Sequence, residues 1–168
     1  MIEMNERHDP SACRRIVRDA KKNGLSRELF DLAQDLQDGV YRAEALCGLC
    51  ASEDMAEEDR VEWVPIIVES MLEEERAWRL AESIGIIAKS TANWPGGRAR
   101  KTMIENLIGM TGGLPTGEAR VDALKSIANR VPKQTLPELF LLAVENQGME
   151  AKAARPIMKA IVNTGDLE

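Results

Sequence analysis

The sequence predicts an all-α chain of stacked helix pairs, on three observations. Helical periodicity recurs almost throughout, and no alternating β-branched run is long enough to be a half-buried strand. Gly and Pro interrupt that periodicity at short intervals, as they do between consecutive helices. A related pattern also returns: VYRAEALCGLCA (40–51), RAWRLAESIGIIA (76–88), ARVDALKSIANRV (119–131) and AKAARPIMKAIV (151–162). Aligned, these segments place Ala45, Leu80, Ala123 and Ile157 at one position, separated by 35, 43 and 34 residues. One helix pair per unit at such spacing is what a solenoid of repeats produces.

The first predicted helix runs from Pro10 to about Asn23, with Asp9 as N-cap and Gly24 as the left-handed residue that ends it. Ala12, Cys13, Ile16, Val17 and Ala20 form its apolar stripe. A second helix opens at Ser26 and carries Leu29, Phe30, Leu32, Ala33 and Leu36 to a stop near Asp38-Gly39. The third spans Val40 to Ala51, with Leu46, Cys47, Leu49 and Cys50 on its packed side. Asp54 then caps a helix through Trp63, Ile67 and Met71, in which Pro65 produces a kink. Residues Leu72–Glu75 either turn the chain or continue one long bent helix into the next, around Arg76 to Lys89. TANWPGG and TGGLPTGE are loops, separated by a helix from about Arg98 to Met110. Thr116 caps a helix to about Arg130, Leu136-Pro137 starts another to about Asn146, and a last one follows Gly148 to Asn163. Pro156 interrupts that last helix.

The repeat has a physical reading. A helix pair cannot bury both apolar faces alone, so pairs must stack. Ala45, Ala81, Ala123, Ala128 and Ala154 let backbones approach, while Leu46, Ile84, Leu124, Ile127 and Ile161 fill the space between layers. The segment LFDLAQDLQDGVYRAEALCGLCA (29–51), with its Asp-containing turn and Ala-Leu-rich second helix, resembles the HEAT-repeat family of α-solenoids, and Val61–Met71 with Pro65 inside is similar to that family's kinked first helix. The resemblance implies a right-handed α-α superhelix of about four HEAT-like pairs, at 26–51, 54–90, 97–131 and 134–163, after a tail and cap helix in 1–25, all within one domain.

Composition narrows the function. The 168 residues are 44% apolar and 30% charged, which places the chain in the globular class. No transmembrane run is present, and the charged N-terminus MIEMNERHDPS lacks the apolar region of a secretory signal, so a cytoplasmic location is expected. The net charge of −6 argues against nucleic acid as a whole-surface partner. That charge is uneven: residues 53–75 hold ten acids and one base, and residues 11–28 hold six bases and two acids.

The chemical motifs are weak. In Cys47-Gly-Leu-Cys50 the spacing lays both sulfurs along an apolar helical stripe, whereas a redox pair needs a thiolate at a helix N-terminus. A zinc site would need two more ligands, with only Cys13 and the lone His8 remaining. No metal or other cofactor is therefore expected. Gly96-Gly97-Arg98-Ala99-Arg100-Lys101 could offer backbone donors and the cations Arg98, Arg100 and Lys101 to a phosphate, although it lacks P-loop spacing. Trp94 beside it either stacks on a base or pins the loop to the helices. Trp63 and Trp78 read as core anchors across one helix pair.

These readings favour a non-catalytic scaffold that binds a protein partner. The family resemblance implies that the partner lies on a concave face made by the second helices. The polar residues recurring there are Tyr41, Arg42, Arg79, Arg120 and Lys152, with Glu44, Glu82 and Asp122 beside them, and their mixed signs suit a protein surface. The alternative is a nucleic-acid module that contacts phosphates through basic helix starts. An accessory enzyme subunit, by analogy with HEAT-like chromophore-attachment proteins, has fold analogy as its sole support.

Overall fold

The computed structural model describes residues 10–25 and 27–163, and among these it is all-helical. The elements are α1 (Pro10–Asn23), α2 (Arg27–Gln34), α3 (Gly39–Cys50), α4 (Glu57–Leu72), α5 (Ala77–Thr91), α6 (Arg98–Gly113), α7 (Glu118–Ala128), α8 (Leu136–Val144) and α9 (Glu150–Asn163), with a 3₁₀ turn at Lys133–Thr135. No described helix is long and apolar enough to cross a membrane. The predicted cap Asp9, the predicted helix start Ser26 and His8 lie outside the described residues.

The chain divides into two compact units: residues up to Glu75 with Asn93–Met103, and Arg76–Ala92 with residues from Ile104 onward. In the first unit α3 packs against α1, α2 and most extensively α4. Gly39 opens α3 where a Cβ would overlap the Ser70 carbonyl of α4, and Val17 of α1 lies 2.5 Å from where a Cβ on Gly48 would stand. Glycine at these two positions thus lets α3 approach α4 and α1 closely. In the second unit α7 packs against α5, α8 and α9. Ala45, Ala81, Ala123 and Ala128 are buried, as are Leu46, Ile84, Leu124 and Ile127, while Ala154 and Ile161 are only half-buried near the end of the described chain.

Several boundaries depart from expectation for identifiable reasons. The second helix ends at Gln34, short of the predicted stop, and Asp38 caps the next helix instead. Its Oδ1 accepts from the N–H groups of Val40 at 3.0 Å and Tyr41 at 3.3 Å. Asp54 caps nothing: α4 starts at Glu57 with Ala56 at its N-cap position, and the first-turn acids Glu57, Glu58 and Asp59 suit the helix dipole. Residues Glu73–Arg76 separate α4 from α5, so the continuous bent helix does not form. Thr116 is likewise not a cap, since Gly117, at φ 131°, precedes α7. The buried Asn146, after α8, holds that glycine at both ends: Oδ1 accepts from Gly117 N–H at 2.7 Å, and Nδ2 donates to its carbonyl at 3.3 Å.

The largest departure is α6, which runs through Gly112 and Gly113 where the sequence predicts loop. Buried Met110, Thr111 and Leu114 hold this stretch in the interior. The guanidinium of Arg120 then takes the carbonyls of Gly112 and Leu114, so the helix end keeps its hydrogen bonds. Pro65 and Pro156 both lie inside helices and end neither. In α9, buried Ala153, Ile157 and Ala160 lie on both sides of Pro156, and packing of that helix on α7 and α8 offsets the missing backbone donor.

Candidate functional site

The first unit holds a cleft of about 570 Å³ lined by two aromatic rings. Phe30, on α2, and Trp63, on α4, stand with ring centroids 4.5 Å apart and planes tilted by 30°. Both rings are half-buried, and Met55 lies in the wall beside them. Asp31 on α2, Asp54 in the linker and Asp59 on α4 line the opening and are exposed, as is Arg27. The cleft is therefore lined by two rings packed on each other and by an excess of negative charge. Among the described residues, no group of three acid, Cys or His side chains is placed to hold a metal ion.

Sequence reasoning missed this site. It placed Trp63 opposite Trp78, but Trp78 is 61% exposed, with the Arg76 guanidinium 5.7 Å above its ring. Its role as a core anchor is therefore corrected. A usable signal was present: Phe30 and Trp63 lie 33 residues apart, close to the 35-residue spacing between the first two related segments.

The partner-contact residues expected on the second helices separate into two groups. Arg42 and Arg120 serve the interior. Arg42 donates from Nη1 to the Leu36 carbonyl and from Nε to Ser70 Oγ, both at 2.9 Å, and its Nη2 pairs with Glu73. Arg120 is 8% exposed, donating from Nε to Leu114 O at 3.1 Å and from Nη2 to Gly112 O at 2.8 Å. Arg60, unremarked in the sequence, is 3% exposed and gives the carbonyls of Cys50 and Ser52 bonds of 2.9 and 2.7 Å. All three arginines sit in the opening turn of a helix and reach back to carbonyls left open behind them. The second group faces outward. Glu82, Asp122 and Lys152 are exposed, with Lys152 paired to Glu118 and Asp122 to Lys125, while Tyr41, Glu44 and Arg79 are half-buried.

The glycine turn before α6 already holds an anion. Ala99 N–H, in the first turn of α6, donates to Glu57 Oε1 at 2.8 Å, and a Cβ on Gly97 would overlap the same carboxylate. Glu57 thus occupies the place where a phosphate would meet the helix dipole. Arg98 and Lys101 remain exposed, while Arg100 turns inward, its Nη1 3.4 Å from the Trp94 carbonyl. Trp94 is buried, with Nε1 donating to the Cys47 carbonyl at 3.1 Å, so it pins the loop to α3.

The three cysteines are buried free thiols. Burial pushes the Cys13 thiol up to about 12, helped by the Glu44 carboxylate against a smaller opposing effect of Arg14. Cys50 is raised further, again chiefly by burial, with Cys47 adding to it and Arg60 opposing. Neutral thiols at these positions are poor nucleophiles. A disulfide-exchange reagent at pH 8 is therefore expected to leave all three unmodified in the native chain and to label them together once denaturant is added. Rapid labelling of the native chain, followed by absorbance, would contradict the packing described.

Compared with family models, curated proteins and solved structures, the chain gives no significant match to any of them.

Proposed function

We propose that this chain is a non-catalytic docking module, an α-solenoid of HEAT-like helix pairs that binds a protein partner. The observation that carries the reading is the Phe30–Trp63 cleft of about 570 Å³, whose paired rings are left half-exposed rather than sealed into the core. Aromatic side chains that keep a face in solvent lose it favourably to a partner, and they dominate the energetics of many interfaces. Within the second unit, the exposed residues Glu82, Asp122 and Lys152 offer a separate charged surface of mixed sign, which suits a protein partner by charge complementarity. The other chemical candidates are engaged internally: the thiols are buried, and the donor of the glycine turn is taken by Glu57.

The test is affinity capture from lysate of the source cell with the wild-type chain and a Trp63→Leu variant shown by circular dichroism to keep its helix content. A stoichiometric protein retained by the wild type and lost by the variant supports docking through the cleft. Equal recovery by both, or no stoichiometric protein at all, rejects it.

A further inference from the structure

We infer that the cleft lined by Phe30 and Trp63 recognises an extended, Lys/Arg-rich segment of a partner protein; this rests on the docking reading and specifies its chemistry. Three features select that occupant. Phe30 and Trp63 pack ring against ring and stay half-buried in the lining, and aromatic surface attracts a cation, most strongly a guanidinium. Around them Asp31, Asp54 and Asp59 outnumber the single Arg27, so a cation entering the cleft gains carboxylate partners as well as aromatic surface. Each aspartate comes from a different segment, α2, the linker and α4, and this spread matches charges spaced along a chain better than one compact cation.

The negative field also continues outside the cleft. Residues 53–75 hold ten acids against one base, and that base, Arg60, is buried on backbone carbonyls. Glu58, Glu62 and Glu69 are exposed along α4. A basic segment seated on Trp63 would therefore find further acids along the helix as it leaves the site. An acidic or neutral segment would meet repulsion at the rim and gain nothing from the ring quadrupoles.

The experiment uses the full chain and a fluorescently labelled alternating Arg-Ala peptide, with an alternating Glu-Ala peptide as its counterpart, read by anisotropy at low salt. Saturable binding of the Arg-Ala peptide alone is expected. Asp31→Asn combined with Asp59→Asn, which conserves shape, is expected to weaken it by roughly tenfold or more, and Trp63→Leu by several-fold. Glu138→Gln with Glu145→Gln removes the same charge from exposed residues outside both the cleft and the 53–75 acidic stretch, and it should change affinity by less than about twofold if binding is local. Absence of saturable binding overturns the inference. So does equal weakening by the two double variants, which would mean diffuse attraction to an acidic surface. Sedimentation showing self-association that the cleft double variant dissolves would also overturn it, because the occupant would then be a second copy of this chain. If a captured partner needs Trp63 yet the Arg-Ala peptide does not bind, only the basic-segment inference falls; if Trp63 proves indifferent in both assays, the docking reading falls with it.

Discussion

Trp94→Ala is expected to lower the stability of the first unit by about 3–5 kcal/mol, the range for removing a fully buried large aromatic side chain. The indole is 2% exposed, and its Nε1 donates to Cys47 O at 3.1 Å. Cys47 lies in the last turn of α3, where carbonyls have no intrahelical partner, so the substitution removes packing volume and an end-of-helix donor together. Trp94→Phe separates the two contributions. It keeps most of the ring and is expected to cost less, about 1–2 kcal/mol, for the lost bond and the carbonyl left buried. Denaturant titration followed by far-ultraviolet circular dichroism measures both. An unchanged midpoint for Trp94→Ala would show that the loop before α6 is not anchored through this residue.

Arg120→Ala carries the second large effect. Its guanidinium is buried and closes the open carbonyls of Gly112 and Leu114. Hydrogen bonds from a charged donor contribute about 1.5–3 kcal/mol each, and buried carbonyls left unsatisfied cost more. A loss of about 2–4 kcal/mol is expected, with α6 fraying back from Gly112-Gly113. Arg120→Lys should not rescue it, because an ammonium cannot present the planar fork that reaches both carbonyls. Lys152→Ala is the contrasting case. Lys152 is half exposed, and its pair with Glu118 is at the surface, so its removal is expected to change stability by less than about 1 kcal/mol. Amide hydrogen exchange across residues 108–114 distinguishes the two. Unaltered protection there in Arg120→Ala would rule out the clamp.

These arginines mark where sequence reading reaches its limit. Arg42 and Arg120 were legible as a recurring feature at the start of second helices, but their role was not. A cation in an opening turn can face a partner or fold back onto the preceding helix end, and periodicity is the same in both cases. Arg60 shows the same device without the repeat, in a segment so acidic that its lone base looks like a surface charge. The glycine turn at 96–97 reads in sequence as able to hold a phosphate, and in the structure an internal carboxylate fills it. That the anion is Glu57, 42 residues away from Ala99, depends on a contact that no local pattern encodes.

The all-helical class, the order of the elements and most of their limits followed from the sequence alone, because apolar periodicity and the φ preferences of Gly and Pro act over a few residues. Gly24 ends α1 with φ 84°, the left-handed conformation that its sequence position predicts. Tertiary structure decided what those local rules leave open. It kept Gly112-Gly113 helical by supplying a guanidinium to their carbonyls, carried α9 through Pro156 by packing both of its halves, and brought Phe30 to Trp63 across 33 residues to make the cleft. In each case the deciding free energy comes from groups distant in the chain, as buried carbonyls find donors and apolar faces find cover, and such contacts exist only once the helices have packed.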